Sequence, residues 1–269
     1  MVQISPTLSV MLKAAEKAAK SLLRDFNEVE NLQVSMKGPG DFVSNADKRS
    51  EEIIIKDLQK ARPDYAILAE ESGAKTAQNN SEYRFVIDPL DGTNNFLHSF
   101  PYWSISIGLE KNGEIIAGVV SVPTLNEVYY AEKGNGAYAQ NGRRLRVSSR
   151  TKLSDAYIAS ASPSSVRRTA NAPISTMDAL NKFSSKVAHV RCVNSAALDL
   201  AYVAAGKFDA LFDSCLKKWD IAAGIIILKE AGGMVTDLSG GNTYYETGNI
   251  LATNYGLHDS LIGLLSVPK

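Results

Sequence analysis

Five short β-rich runs lie between residues 83 and 147: FVIDPL, SISIGL, IIAGVVSV, EVYYAE and AYAQ. The later ones are separated by Lys111-Asn112-Gly113 and Gly134-Asn135-Gly136, and Asn141-Gly142 follows. Such stretches supply the positive φ that tight hairpin turns require. A connection of two or three residues joins only antiparallel strands, because a parallel return needs a crossover of a dozen residues or more. This segment therefore predicts an antiparallel meander, and the rest of the chain must cover its faces.

Around residue 147 the rhythm changes. Strand-like AYIASAS (156–162) leads through a polar stretch to KVAHVRCV (186–193), then helix-like SAALDLAYVAAG (195–206) and strand-like FDALFD (208–213). WDIAAGIIILKEAGG (219–233) reads as a helix closed by glycines, and MVTDL and NILATN as further strands. Alternating strands and helices predict an α/β part. Ahead of the meander, Leu8, Met11, Ala15, Ala18, Leu22 and Phe26 repeat at helical spacing. A second helix is predicted over 45–61, where Ser44 and Asp47 form the S-x-x-D pattern of a capping box. YAILAEES (65–72) reads as a strand running into a loop. The expected architecture is α/β: an α+β part over 1–147 with a large antiparallel sheet, and an α/β part over 148–269.

A chain of 269 residues can bury a core of this kind, and its 29 Lys+Arg balance 29 Asp+Glu. A net charge near zero gives no whole-chain pull toward nucleic acid or a membrane surface. Two cysteines do not make a disulfide framework, and they fit a reducing compartment. The N-terminal residues lack a signal-like pattern, and the longest apolar run, IAAGIIIL at 221–228, is too short to span a bilayer. A cytoplasmic protein with no membrane partner is expected.

The chemistry concentrates in DPLDGTNN at 88–95, directly after the apolar run RFVI. Two carboxylates at the end of a buried strand repel each other and resist desolvation, so a positive partner is called for. Oxygen ligands without His or Cys favour a hard cation, Mg²⁺ before Zn²⁺. The Leu90 carbonyl could add a ligand. Gly92 permits close backbone approach, and the amides of Gly92 and Thr93 suit a phosphate. Glu70-Glu71, Asp47 and Asp220 are further acidic positions, each with a plainer reading as solvated charge, cap or helix-dipole partner. Carboxylates for metal and amides for phosphate within six residues suit metal-assisted phosphate chemistry.

Glu70-Glu71-Ser72, DPLDGTNNF at 88–96 and WDIAAGIIILKEAGG at 219–233 together resemble the signatures of the inositol monophosphatase family, and the resemblance runs along nearly the whole chain. It implies a layered αβαβα sugar-phosphatase fold, a homodimer, and Mg²⁺-dependent, lithium-sensitive hydrolysis of myo-inositol 1-phosphate or related phosphate monoesters. By the same resemblance Glu70, Asp88, the Leu90 carbonyl, Asp91 and Asp220 would hold two to three Mg²⁺ ions. Thr93 and Glu70 would orient the attacking water, with Asp47 accepting from the Thr93 hydroxyl. Asp91, Gly92, Thr93, Ala196 and Asp213 would contact substrate. The sequence departs from the family pattern on the substrate side. Asp213 stands where Glu is usual, and Asn194 where Gly is usual, which opens the NSAA turn to a different backbone conformation.

Other enzymatic readings stay within the superfamily: fructose-1,6-bisphosphatase, 3′-phosphoadenosine 5′-phosphate phosphatase, histidinol phosphatase or NADP phosphatase. A reading of another class is a regulatory partner of the transcription machinery. Arg143, Arg144 and Arg146 could serve it, although charged residues also protect a β edge. Arg167-Arg168 could act similarly. Cys192 and Cys215 are expected to be small core residues rather than nucleophiles, and His98, His189 and His258 lack metal-like spacing.

Overall fold

A computed structural model of the chain describes residues 4–29, 34–38, 41–75, 81–162 and 174–265. Arg167-Arg168 lies outside the described residues. Helix α1 (Pro6–Phe26) starts where the Ser5 hydroxyl accepts from the Leu8 amide at 3.1 Å, with Pro6 in the first turn. A hairpin of β1 (Val34–Gly38) and β2 (Asp41–Ser44) follows, which periodicity did not indicate. Helix α2 (Asn45–Ala61) carries the predicted capping box.

The large sheet contains β3 (Ala66–Ala69), β4 (Gly73–Lys75), β5 (Tyr83–Asp91), β6 (Ser104–Lys111), β7 (Glu114–Val122), β8 (Glu127–Glu132) and β9 (Gly136–Ala139), with a short helix α3 (Thr93–Leu97) between β5 and β6. Its order is β4-β3-β5-β6-β7-β8-β9, and β5 to β9 form the predicted meander. Asn112 and Gly113 turn the β6–β7 hairpin with φ of 51° and 83°. The C-terminal sheet has the order β11-β10-β12-β14-β13. Its strands are β10 (Tyr157–Ser160), β11 (His189–Arg191), β12 (Ala210–Asp213), β13 (Met234–Thr236) and β14 (Ile250–Thr253). The helices between and after them are α4 (Thr176–Ser184), α5 (Ala196–Ala204), α6 (Lys218–Glu230), α7 (Tyr244–Thr247) and α8 (His258–Leu265). This sheet is mixed. β10 runs parallel to β11 and β12, whereas β14 is antiparallel to β12 and β13. The four-residue α7 is too short to act as a crossover between β13 and β14.

Alternation along the strands divides the core into layers. Phe85, Ile87, Ile105, Ile107 and Val119 pack against α1 and α2. Val86, Val120, Val122, Tyr129 and Ala131 face α5 and α6. Ile158, Phe212 and Leu251 pack with Phe183 of α4 and Leu261 of α8. The layers are therefore α–β–α–β–α, with α5 and α6 between the two sheets. Gly108 and Gly118 allow α6 to lie close on the large sheet. A Cβ at Gly108 would stand 2.7 Å from the Ala222 Cβ, and one at Gly118 would stand 2.6 Å from the Ala223 carbonyl. Among the described residues, no helix is long and apolar enough to cross a membrane.

Cys192 departs from expectation, since it is exposed, and Cys215 is half-buried. Cys192 follows the short edge strand β11 beyond the packed layers. Partial burial, with Asp199 and Asp213 nearby, pushes its thiol pKa up, so it is no ready nucleophile. Arg143, Arg144 and Arg146 are exposed, and Arg144 bridges to Tyr138 along the edge of β9.

Candidate active site

β3 and β5 are parallel neighbours, and their carboxyl ends deliver the first two acids. Ala69 pairs with Ile87, so Glu70 and Asp88 emerge side by side, and the Glu70 amide donates to the Ile87 carbonyl at 3.1 Å. Side chains alternate along a strand, so residues three apart should face opposite sides of the sheet. Asp88 shares its side with Val86, toward α6, and Asp91 should point away. A bulge prevents this. Asp88 pairs with Ser106 and Asp91 with Ser104, so β5 spends three steps where β6 spends two. The extra residue turns Asp91 back to the inner side. The Asp88 Oδ1 accepts from the Leu90 amide at 3.0 Å inside the bulge, and the Ser50 hydroxyl donates to the Pro89 carbonyl at 2.9 Å.

Helix α6 brings the next acid. The Ser106 hydroxyl, opposite Asp88, donates to the Trp219 carbonyl at 3.2 Å. Asp220 follows in the first turn of α6, buried, and one of its oxygens accepts from the Lys217 amide at 2.8 Å. Glu70, Asp91 and Asp220 lie close enough to Asp88 for their charges to act on it, and it shares a hydrogen bond with Glu70. Burial first, then these like charges, holds the Asp88 carboxyl well above the usual carboxylate range. Among the described residues no three acids close into a ready coordination shell. What sets the group apart is the gathering of like charges around one buried carboxyl.

Asp47 serves two partners. Its Oδ2 accepts from the Ser44 amide at 2.9 Å and the Ser44 hydroxyl at 2.6 Å, which is the cap. Its Oδ1 accepts from the Thr93 hydroxyl at 3.0 Å. Burial raises the Asp47 pKa. The Leu90 carbonyl lies 3.1 Å from the same Thr93 hydroxyl, so it faces the Thr93 side. Gly92 has φ 93°, and a Cβ there would meet the Tyr102 carbonyl at 3.1 Å, so the turn requires glycine on two counts.

The C-terminal part meets these residues at α5. Asp91 Oδ2 accepts from the Ser195 hydroxyl at 2.7 Å and the Ala197 amide at 2.9 Å. Ala196, buried, lies between them at the start of α5. Asn194 keeps φ 55°, the left-handed region glycine favours, so the turn retains a glycine-like conformation. Its side-chain oxygen accepts from the Ser162 amide at 2.7 Å. Asp213 ends β12, buried, with its Oδ1 accepting from the Ser214 amide at 2.7 Å.

Two buried acids, Glu51 and Asp199, carry no signal in the sequence that marks them. Glu51, buried, accepts from the Glu71 and Ser72 amides at 2.8 and 3.0 Å and so fixes the loop after Glu70. Asp199, also buried, accepts from the Tyr102 hydroxyl at 2.6 Å. Burial, with Asp91 and Asp213 adding to it, raises the Asp199 pKa well above the ordinary value, and burial with the nearby Asp199 charge keeps the proton on Tyr102. A carboxyl whose pKa is raised by folding contributes stability below its unfolded pKa and loses it as pH rises through the folded value. Asp199→Asn lacks this loss. In EDTA, the melting temperature of Asp199→Asn relative to wild type is expected to climb between pH 5 and pH 8. A pH-independent difference between the two would refute the assignment.

A groove of about 740 Å³ runs beside α2, lined in part by Lys48, Glu51, Lys56 and Glu71, and contains none of Glu70, Asp88, Asp91 or Asp220. The acidic cluster is therefore a separate place from this groove.

Over residues 3–266 the chain matches the model of the Inositol monophosphatase family. It is 46% identical over 264 residues to the inositol-1-monophosphatase of Mesorhizobium japonicum, an alignment covering 98% of this chain and 97% of that protein. It is 39% identical over 249 residues to the Nus factor SuhB of Escherichia coli, covering 93% of this chain and 91% of that protein. The crystal structure of extragenic suppressor protein suhB from Bartonella henselae superposes with a TM-score of 0.92 at 44% identity, covering 98% of this chain and all of that one (100%).

Proposed function

The chain belongs to the inositol monophosphatase family, within a superfamily of sugar and polyol phosphate hydrolases, and from that premise we propose that it hydrolyses myo-inositol 1-phosphate and related phosphate monoesters with Mg²⁺. The observation that carries the reading is the convergence of half-buried Glu70 and buried Asp91 and Asp220 on the buried Asp88. Like charges gathered at a buried carboxyl are costly, and a bound cation would offset that cost. The donor set fits Mg²⁺, since it offers carboxylates and a carbonyl, all hard oxygen ligands.

Glu70, Asp88, the Leu90 carbonyl, Asp91 and Asp220 would hold two to three ions. Bound there, Mg²⁺ would supply positive charge to the phosphate and lower the pKa of the attacking water. The remaining work belongs to side chains. The Thr93 hydroxyl has one proton and two acceptors in reach, and the Asp47 carboxylate at 3.0 Å is the stronger acceptor than the neutral Leu90 carbonyl at 3.1 Å. Its lone pairs are then left to accept a hydrogen bond from the attacking water, and Glu70 would accept the water's other hydrogen bond. Asp47 cannot rotate away, because Ser44 holds its other oxygen. Gly92 and Thr93 would receive the phosphate, and Asp91, Ala196 and Asp213 the hydroxyls of the leaving group. The site would lie between 1–147 and 148–269, and a homodimeric, cytoplasmic enzyme fits this reading.

The deciding experiment is phosphate release from inositol 1-phosphate with Mg²⁺ and with EDTA. Strictly Mg²⁺-dependent release supports the proposal. The same assay on fructose 1,6-bisphosphate, 3′-phosphoadenosine 5′-phosphate, histidinol phosphate and NADP then sets the substrate order. Failure on inositol 1-phosphate with success on another substrate would move the assignment within the superfamily. Failure on all would sink it.

A second reading rests on the 39% identity to a Nus factor and on the exposed Arg143, Arg144 and Arg146. A partner in the transcription machinery would be retained by wild type in a pull-down with RNA polymerase and lost on charge reversal of these arginines. Equal retention of both proteins would count against the patch.

A further inference from the structure

We propose that Ser195 is a positioning residue that sets how tightly the acidic cluster holds its cation, by fixing Asp91 from the opposite part of the molecule. The inference rests on the metal-dependent reading above.

Ser195 is fully buried at the N-cap of α5. An N-cap serine normally accepts from an amide in the first turn of its own helix. Ser195 makes no such bond. Its hydroxyl donates instead to Asp91 Oδ2 at 2.7 Å, and the Ala197 amide, which a cap would satisfy, donates to the same oxygen at 2.9 Å. The carboxylate of a different layer therefore does the capping. A serine retained only for helix stability would point the other way.

The Ser104 hydroxyl adds a longer contact of 3.4 Å to the same oxygen, so the start of α5 supplies its two short donors. With Oδ2 committed to these donors, Asp91 would present its carboxylate to a cation in an orientation set by α5. Residues that hold a metal ligand in this way commonly change metal affinity by about 10–100-fold when removed. The bulge of β5 brings Asp91 to the inner side, and Ser195 locks it there.

The test is a titration of metal-stripped protein with MgCl₂, read by calorimetry and by the Mg²⁺-dependent rise in melting temperature. Ser195→Ala is expected to weaken Mg²⁺ binding by about tenfold or more. Ser195→Thr keeps the hydroxyl and is expected to restore most of the affinity. A merely structural role would lower the metal-free melting temperature and leave the Mg²⁺ affinity unchanged. Should the alanine variant not fold, Ser195→Cys fills the same space with a weak donor and is expected to bind Mg²⁺ less tightly than wild type. Wild-type affinity in the folded alanine or cysteine variant would overturn the inference alone. A wild type that takes up no Mg²⁺ would overturn the metal-dependent reading and the inference with it.

Discussion

Replacing Asp88 by asparagine is expected to lower kcat/KM for a phosphate monoester by about 10³-fold, roughly 4 kcal/mol of transition-state stabilisation. The substitution keeps the shape, and the asparagine oxygen can still accept from the Leu90 amide, a bond of 3.0 Å in the wild type. The bulge that aims Asp91 should therefore survive, and only charge is lost. That charge stands at the centre of the cluster, with Glu70, Asp91 and Asp220 around it. Stability should move in the opposite direction. In EDTA, wild type carries the repulsion of like charges gathered at a buried carboxyl, and the variant carries less of it. The variant should melt higher than wild type, by about 2–4 °C for each kcal/mol gained. Adding Mg²⁺ should stabilise wild type and leave the variant nearly unmoved. Activity kept above a tenth of wild type, or a lower melting temperature in EDTA, would contradict this account.

The second expected result separates the two functions of Asp47. Thr93→Val should reduce kcat by about 10²-fold with little change in KM, because the hydroxyl acts on a water rather than on bound substrate. Thr93→Ser should keep most of the rate. Asp47→Asn has a single oxygen for two sets of donors. The Ser44 amide and hydroxyl need that oxygen, so the amide nitrogen turns toward Thr93 and donates to it. The threonine proton is then directed elsewhere, and kcat should fall as in Thr93→Val while the cap stays. Asp47→Ala should lose both, with a further loss of about 1 kcal/mol in stability from the missing cap. Steady-state kinetics and melting curves on the four variants read the two effects apart. Equal melting temperatures for Asp47→Asn and Asp47→Ala would argue against the divided carboxylate.

Much of this was legible in the sequence because it rests on local rules. The Asn112-Gly113 turn, the Ser44–Asp47 capping box and the apolar run leading into DPLDGT each carry their signal within a few residues. The bulge at 89–90 does not. Strict alternation would send Asp88 and Asp91 to opposite faces, and only the pairing with β6 reveals the extra residue. Asp199 was hidden for a different reason. It sits in SAALDLAYVAAG, which reads as a core helix with one acid, and its partner Tyr102 is 97 residues away. Glu51 resembles an exposed helical acid until the loop after Glu70 folds onto it. Helix α4 contributes only Ala179 and Phe183 to the core from a segment that reads as polar.

The placement of α6 between the sheets also bears on how the chain is made. Val120, Val122 and Tyr129 reach their buried state against Ile221, Ala222 and Ile225, about a hundred residues further along. At the pace of the ribosome, roughly 5–20 residues per second, those partners emerge some 5–20 s after the strands they cover. During that interval the meander has its α1 and α2 side available for packing and its other side bare. Folding of the large sheet thus waits on the C-terminal residues. The nascent chain spends that time presenting an apolar β surface that a holding chaperone would recognise.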